Sequence, residues 1–194
     1  MKVLWDNLFR KNSVHSKIAN LLKETIIFSD LELEELINLE KIMNPRKFHA
    51  GETVFRQGDG GVGMYLIVSG SVNIFLDEVL ENQEVRQSLI TRLFVGDFFG
   101  ESALVIEGGK RSATIVARED CELLGFFYPD LLQIIKKNPT TGNRILFRLG
   151  EVLGTRLRET NKKLISLISE NDTLKKELGR KGDSESNHNK SYFT

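Results

Sequence analysis

The spacing of apolar positions divides the chain into three stretches. Over residues 1–45, Ile18, Leu21, Leu22, Leu33, Leu36, Ile37 and Leu39 recur at helical intervals with no glycine between them, which predicts a helical arm and a second, leading helix. In SDLELEEL, Ser29 is placed to cap a helix start, with acidic residues following at the positive end of the dipole. Pro45 closes this stretch. Between residues 46 and 128 the pattern changes to short β-type runs: RKFH, TVFR, MYLIVSG, SVNIFL, SLITRL, SATIVA and ELLGFF. Glycines separate them, as tight strand connections require. The expected fold is mainly β with flanking helices, an antiparallel β-roll of about eight strands, jelly-roll-like, followed by a long C-terminal coiled-coil helix. The polar segment DEVLENQEVRQ, residues 77–87, reads as an exposed hairpin connection.

From residue 129 to 180 the chain is again helical. YPDLLQIIKKNP reads as a short helix ended by Pro139, and a longer one is expected from Thr141 to Leu178. With Leu157, Leu164, Asn171 and Leu178 at heptad position a, Leu146, Leu153, Thr160, Leu167 and Leu174 fall at d. A seam of that kind needs a partner helix. Leu146 to Leu153 are expected to pack on the roll, and the rest to form a parallel homodimer whose register Asn171 fixes. The polar residues 181–194 are expected to be a disordered tail.

Composition narrows the function. Lys plus Arg and Asp plus Glu both number 27, so no general attraction to nucleic acid or membrane follows. No apolar run approaches the ~20 residues of a membrane helix and no signal-peptide pattern opens the chain, so a cytoplasmic protein without membrane association is expected. The single Cys121 lies in a strand run and reads as core. His15, His49 and His188 are scattered, no nucleophile pairs with a base, and no metal-ligand spacing occurs, so neither an enzyme, a catalytic cofactor nor a metal site is expected. Trp5, Phe9, Arg10 and Lys11 in the N-terminal arm are expected to cover the roll.

The chemistry is concentrated in LFVGDFFGESALVIEGGKRSATIVA, residues 93–117. A helical turn begins at FGE, a flexible GGK follows, and an arginine then leads a strand. A cyclic nucleotide has a permanently anionic phosphodiester, one free ribose 2′-hydroxyl and an apolar base. Backbone N–H groups at Gly100, Glu101 and Ser102 stand at a helix start, where donors attract an anion. Arg111 can grip two phosphate oxygens with its planar fork, and Ser112 can add a hydrogen bond. Glu101 repels phosphate but accepts from a sugar hydroxyl. A Glu and an Arg ten residues apart more often form only a salt bridge across a loop.

The whole string FGExAL followed by RSAT decides between those readings, because it resembles the phosphate-binding cassette of the cyclic-nucleotide-binding domain family. FSDLELEELINL, the run FHAGETVFRQGDGGVGMYLIVSGSVNIF and LLGFF extend the resemblance over residues 26–161. It implies that Arg111 binds the cyclic phosphate, Glu101 the ribose, and Gly100 and Ser112 support the phosphate. Members with a long dimer helix contact adenine through a threonine and the other subunit's following serine; alignment along that helix implies Thr160 and Asn161. Thr160 also interrupts the leucine seam at d. The chain departs from the family at Ser102, where leucine is common, and at GGK, where a small residue or proline is common. Members that bind DNA continue into a winged helix-turn-helix. This chain has 34 residues after Thr160 and no net basic charge, so direct DNA binding is not expected. The expectation is a stand-alone receptor for cAMP or cGMP that signals through its dimer helix to an unidentified protein partner. The competing expectation is an interaction protein with a degenerate pocket.

Overall fold

A computed structural model of the chain describes residues 17–80, 83–106 and 108–189, with side chains as far as residue 175. The N-terminal arm with Trp5, Phe9, Arg10 and Lys11 lies outside these residues. The described chain forms two compact units, one ending at Gly150 and one beginning at Glu151.

In the first unit a helix α1 (residues 17–24) and a 3₁₀ turn (Ile26–Phe28) precede helix α2 (Leu33–Ile42). Eight strands follow: β1 (Asn44–Phe48), β2 (Thr53–Phe55), β3 (Gly63–Ser69), β4 (Val72–Val79), β5 (Val85–Leu93), β6 (Phe98–Phe99), β7 (Thr114–Ala117) and β8 (Cys121–Phe127). A 3₁₀ turn, Glu101–Leu104, links β6 to β7. All pair antiparallel, in two four-stranded sheets ordered β1-β8-β3-β6 and β2-β7-β4-β5. The expected β-roll is thus present. Its inner faces meet in a cluster of Ile67, Val72, Phe99, Ile115, Ala117, Cys121 and Leu123.

Burial on both faces explains why β3 and β8 read as continuous apolar runs. Tyr65 and Ile67 of β3 face the roll interior, whereas Met64 and Leu66 are buried on the opposite side with the helical layer of Leu22, Ile27, Phe28, Leu31, Leu36 and Leu39. Phe28 meets Phe126 of β8 edge to face, with ring centroids 5.8 Å apart. Burying a ring of this size contributes about 2–3 kcal/mol. Pro45 does not close a helix but sits in β1, an edge strand, where its missing N–H removes no second ladder.

Further boundaries differ from the sequence reading. Ser29 is not the cap of α2: it ends the 3₁₀ turn, and its hydroxyl donates to the Ile26 carbonyl. Glu32 caps α2 instead, through a capping box with Glu35. The neighbouring Asp30 is engaged elsewhere, by both Arg148 Nε and Nη2 at 2.7 Å. Strands β4 and β5 run into the segment expected to be a connection, because Asp77↔Gln87, Glu78↔Arg86 and Val79↔Val85 continue the ladder. Polar character there reflects an exposed hairpin, not an end of pairing.

Helix α3 (Tyr128–Lys137) stops two residues before Pro139, and Pro139 itself begins α4 (Pro139–Asn189), where a proline lacks nothing the helix needs. The backbone of α4 continues past Leu178 to Asn189, although a disordered tail was expected from 181. Two glycines, each costing about 1 kcal/mol, do not end a helix that meets no proline. Arg144 and Arg148, one turn apart near the start of α4, bind Glu35 and Asp30, and Thr141 donates to Glu35 as well. In the second unit, Leu157, Leu164, Leu167 and Leu174 are exposed along α4.

Candidate functional site

The arginine of the RSAT string is fixed first by its backbone. Its N–H donates to the Asp59 carbonyl (2.8 Å), and its carbonyl accepts from Gly58 N–H (2.9 Å). The preceding glycines are held likewise: Gly60 bridges Lys110, and Gly61 N–H donates to Gly109 O at 2.8 Å. The GGK segment is therefore strapped to the GDGG loop, which supplies the rigidity that a proline would otherwise give.

From this anchor the Arg111 side chain runs inward and is only 8% exposed. Its Nη1 donates to the carbonyls of Gly63 (2.8 Å) and Gly100 (3.3 Å). Its Cζ lies over the Phe55 ring, 4.0 Å from the centroid. Its Nε is buried and has no hydrogen-bond partner. Burial pulls the guanidinium below its ordinary value, while Tyr65, Asp59 and Glu101 act in the opposite sense. It remains a cation at neutral pH. A desolvated cation whose buried Nε–H is unspent is the electrostatic equipment of an anion site.

Gly100 is the hinge of the cassette. Its φ of +78° lies in the left-handed region, and a Cβ there would fall 2.4 Å from Arg111 Nη1 and 3.2 Å from Gly63 O. Only glycine lets β6 turn into the 3₁₀ segment and leaves room for the guanidinium. Glu101 is buried at the start of that segment. Ser102 follows half-buried, and its carbonyl accepts from Val105 and Ile106. Ser112, next to Arg111 in the chain, is exposed. The structure therefore brings Gly100 against Arg111 and places Glu101 within electrostatic reach of it. Thr160 and Asn161 belong to the second unit and are exposed on α4, with the Thr160 hydroxyl bonded to the Arg156 carbonyl at 2.8 Å.

Sequence reasoning missed Phe55 and Gly63. Gly63 lies so close to β8 that a Cβ would stand 2.3 Å from Phe126 O, which leaves its own carbonyl facing Arg111. The glycine cluster GDGGVG was the available signal, since close backbone approach is one of the few uses of glycine outside turns. Phe55, inside TVFR, gave none beyond strand propensity.

The family model of the cyclic nucleotide-binding domain matches residues 45–138, the roll with its cassette and α3. This segment belongs to that family. The chain is 36% identical over 143 residues to the cyclic AMP receptor protein of Thermus thermophilus, which covers 74% of this chain and 62% of that protein. It is 33% identical over 121 residues to the cAMP-activated global transcriptional regulator CRP of Salmonella typhimurium, covering 62% of this chain and 54% of the relative. The crystal structure of the Thermus thermophilus catabolite activator protein superposes with a TM-score of 0.64 at 33% identity, over 73% of this chain and 62% of the other. The chain thus spans between half and two thirds of the regulators it matches. Among the described residues, no helix is long and apolar enough to cross a membrane.

Proposed function

We propose that this chain is a regulatory receptor for cAMP, held by the cassette between β6 and β7. The observation that carries the reading is Arg111, a nine-tenths buried guanidinium whose Nε is unpaired inside a domain of the cyclic nucleotide-binding family. The cyclic phosphate takes the Nε edge of Arg111, with Ser112 and the backbone at Gly100 and Ser102 as further donors. Glu101 receives the ribose 2′-hydroxyl. cAMP is favoured over cGMP because the two bacterial relatives are described as a cyclic AMP receptor and a cAMP-activated regulator.

The exposed leucines of α4 form the seam of a parallel homodimer, and Thr160 of one subunit with Asn161 of the other contact the base. Ligand binding then favours one arrangement of the dimer helices because the base touches both, and a protein partner reads that arrangement. Isothermal titration calorimetry tests the reading. The full chain is expected to bind cAMP with micromolar or tighter affinity and Arg111→Ala to bind none. Absence of heat with both cAMP and cGMP overturns it.

A further inference from the structure

We propose that Phe55 is a positioning residue for the anion site: its ring face holds the Arg111 guanidinium in the place from which it meets the ligand. The inference rests on the receptor reading and adds a residue to it from β2, outside the cassette.

Arg111 is reached from three sides. The carbonyls of Gly63 and Gly100 take Nη1, and the Phe55 ring lies beneath Cζ at 4.0 Å. Those carbonyls fix one end of the guanidinium but leave rotation about that end. A second restraint is needed if Nε is to stay where an anion can be seated. The ring supplies it without using a donor, because a cation over an aromatic face is held by the ring's quadrupole while its N–H groups stay available. An aliphatic residue would fill the same core volume, yet it would only desolvate the charge.

Phe55 is itself immobilised. It packs against the inner cluster of the roll, and its centroid lies 5.8 Å from Phe99 and 6.3 Å from Tyr65. Tyr65 in turn stacks on Phe99 at 5.7 Å and meets the edge of Phe127 at 6.0 Å. Phe99 immediately precedes Gly100, and Phe127 immediately precedes α3. The aromatic group thus supports the cation from the same framework that sets the cassette.

The test places mono-, di- and trifluorophenylalanine at position 55, which weakens the ring's hold on a cation in steps while nearly preserving its shape. The cAMP dissociation constant is expected to rise stepwise, by about 5- to 30-fold in total, with the melting temperature little changed. Phe55→Leu is expected to show a similar loss. In the ligand-free protein the Arg111 Nε–H resonance, shifted upfield by the ring current, is expected to move towards its ordinary position along the fluorinated series and in Phe55→Leu to reach it. Flat affinity across the series in a protein that binds cAMP overturns the proposal, whatever the resonance shows. A protein that binds no cyclic nucleotide but shows the shifted resonance overturns the receptor reading and supports the ring–cation contact.

Discussion

Replacing Gly100 by alanine separates the stability of the cassette from its affinity. The backbone at φ +78° costs an alanine about 1–2 kcal/mol, and the stiffer unfolded chain returns part of that, so the net loss is roughly 1 kcal/mol. For a unit of about 150 residues this backbone effect alone should lower the melting temperature by about 2–4 °C, and loss of the Gly63 bond adds to it. The second effect is local. The new Cβ would stand 2.4 Å from Arg111 Nη1, so the guanidinium, as the far end of a flexible side chain, must withdraw and give up its 2.8 Å bond to Gly63 O. A hydrogen bond to a charged group is worth about 1.5–3 kcal/mol, and a displaced fork loses a comparable amount with the phosphate, which corresponds to a roughly 10- to 150-fold weaker Kd. Differential scanning fluorimetry reads the first quantity and calorimetric titration with cAMP the second. A variant that melts lower yet binds cAMP as tightly as the parent refutes the argument that Gly100 and Gly63 place the guanidinium for its ligand.

Two other outcomes follow from groups away from the cassette. Asp30 is lowered from its ordinary 3.8 by its hydrogen bonds from Arg148; Glu35, although burial raises it, is lowered overall from 4.5 by Thr141, the Glu32 N–H and Arg144. Both carboxylates therefore stabilise the fold above those ordinary values, and their contribution disappears as pH falls through the lower folded-state values, so the melting temperature should drop with acidification below about pH 5, less steeply in the Asp30→Asn/Glu35→Gln double variant. Lysine at Leu164 and Leu167, both exposed on α4, is expected to halve the mass measured by light scattering, and a parent chain that is already monomeric removes the seam from the mechanism.

What the sequence disclosed was local. Alternating and continuous apolar runs marked seven of the eight strands, but β6 holds two residues, too few to express a period. The arginine and glutamate of the cassette were legible because a short string carries both. Position 29 was misread for the opposite reason. Ser29, Asp30 and Glu32 are all credible caps, and the choice is made by a pairing with Arg148, 118 residues beyond Asp30. The polar hairpin strands were taken for a connection because exposure and irregularity produce the same composition.

The site repeats this contrast between near and distant information, and the contrast bears on how it works. The cassette's own residues, Gly100 to Ser112, provide the groups that suit a phosphate and a sugar. Their placement comes from segments far earlier in the chain: Gly58 and Asp59 clamp the backbone of Arg111, Gly63 takes its Nη1, and Phe55 supports its face. Because Gly63 pairs with Phe127, the carbonyl that holds the guanidinium belongs to the strand pair from which α3 departs. An anion that draws Arg111 towards itself must loosen or keep that bond. The Gly63 carbonyl is thus the point at which the cation and the strand pair leading into α3 share a hydrogen bond.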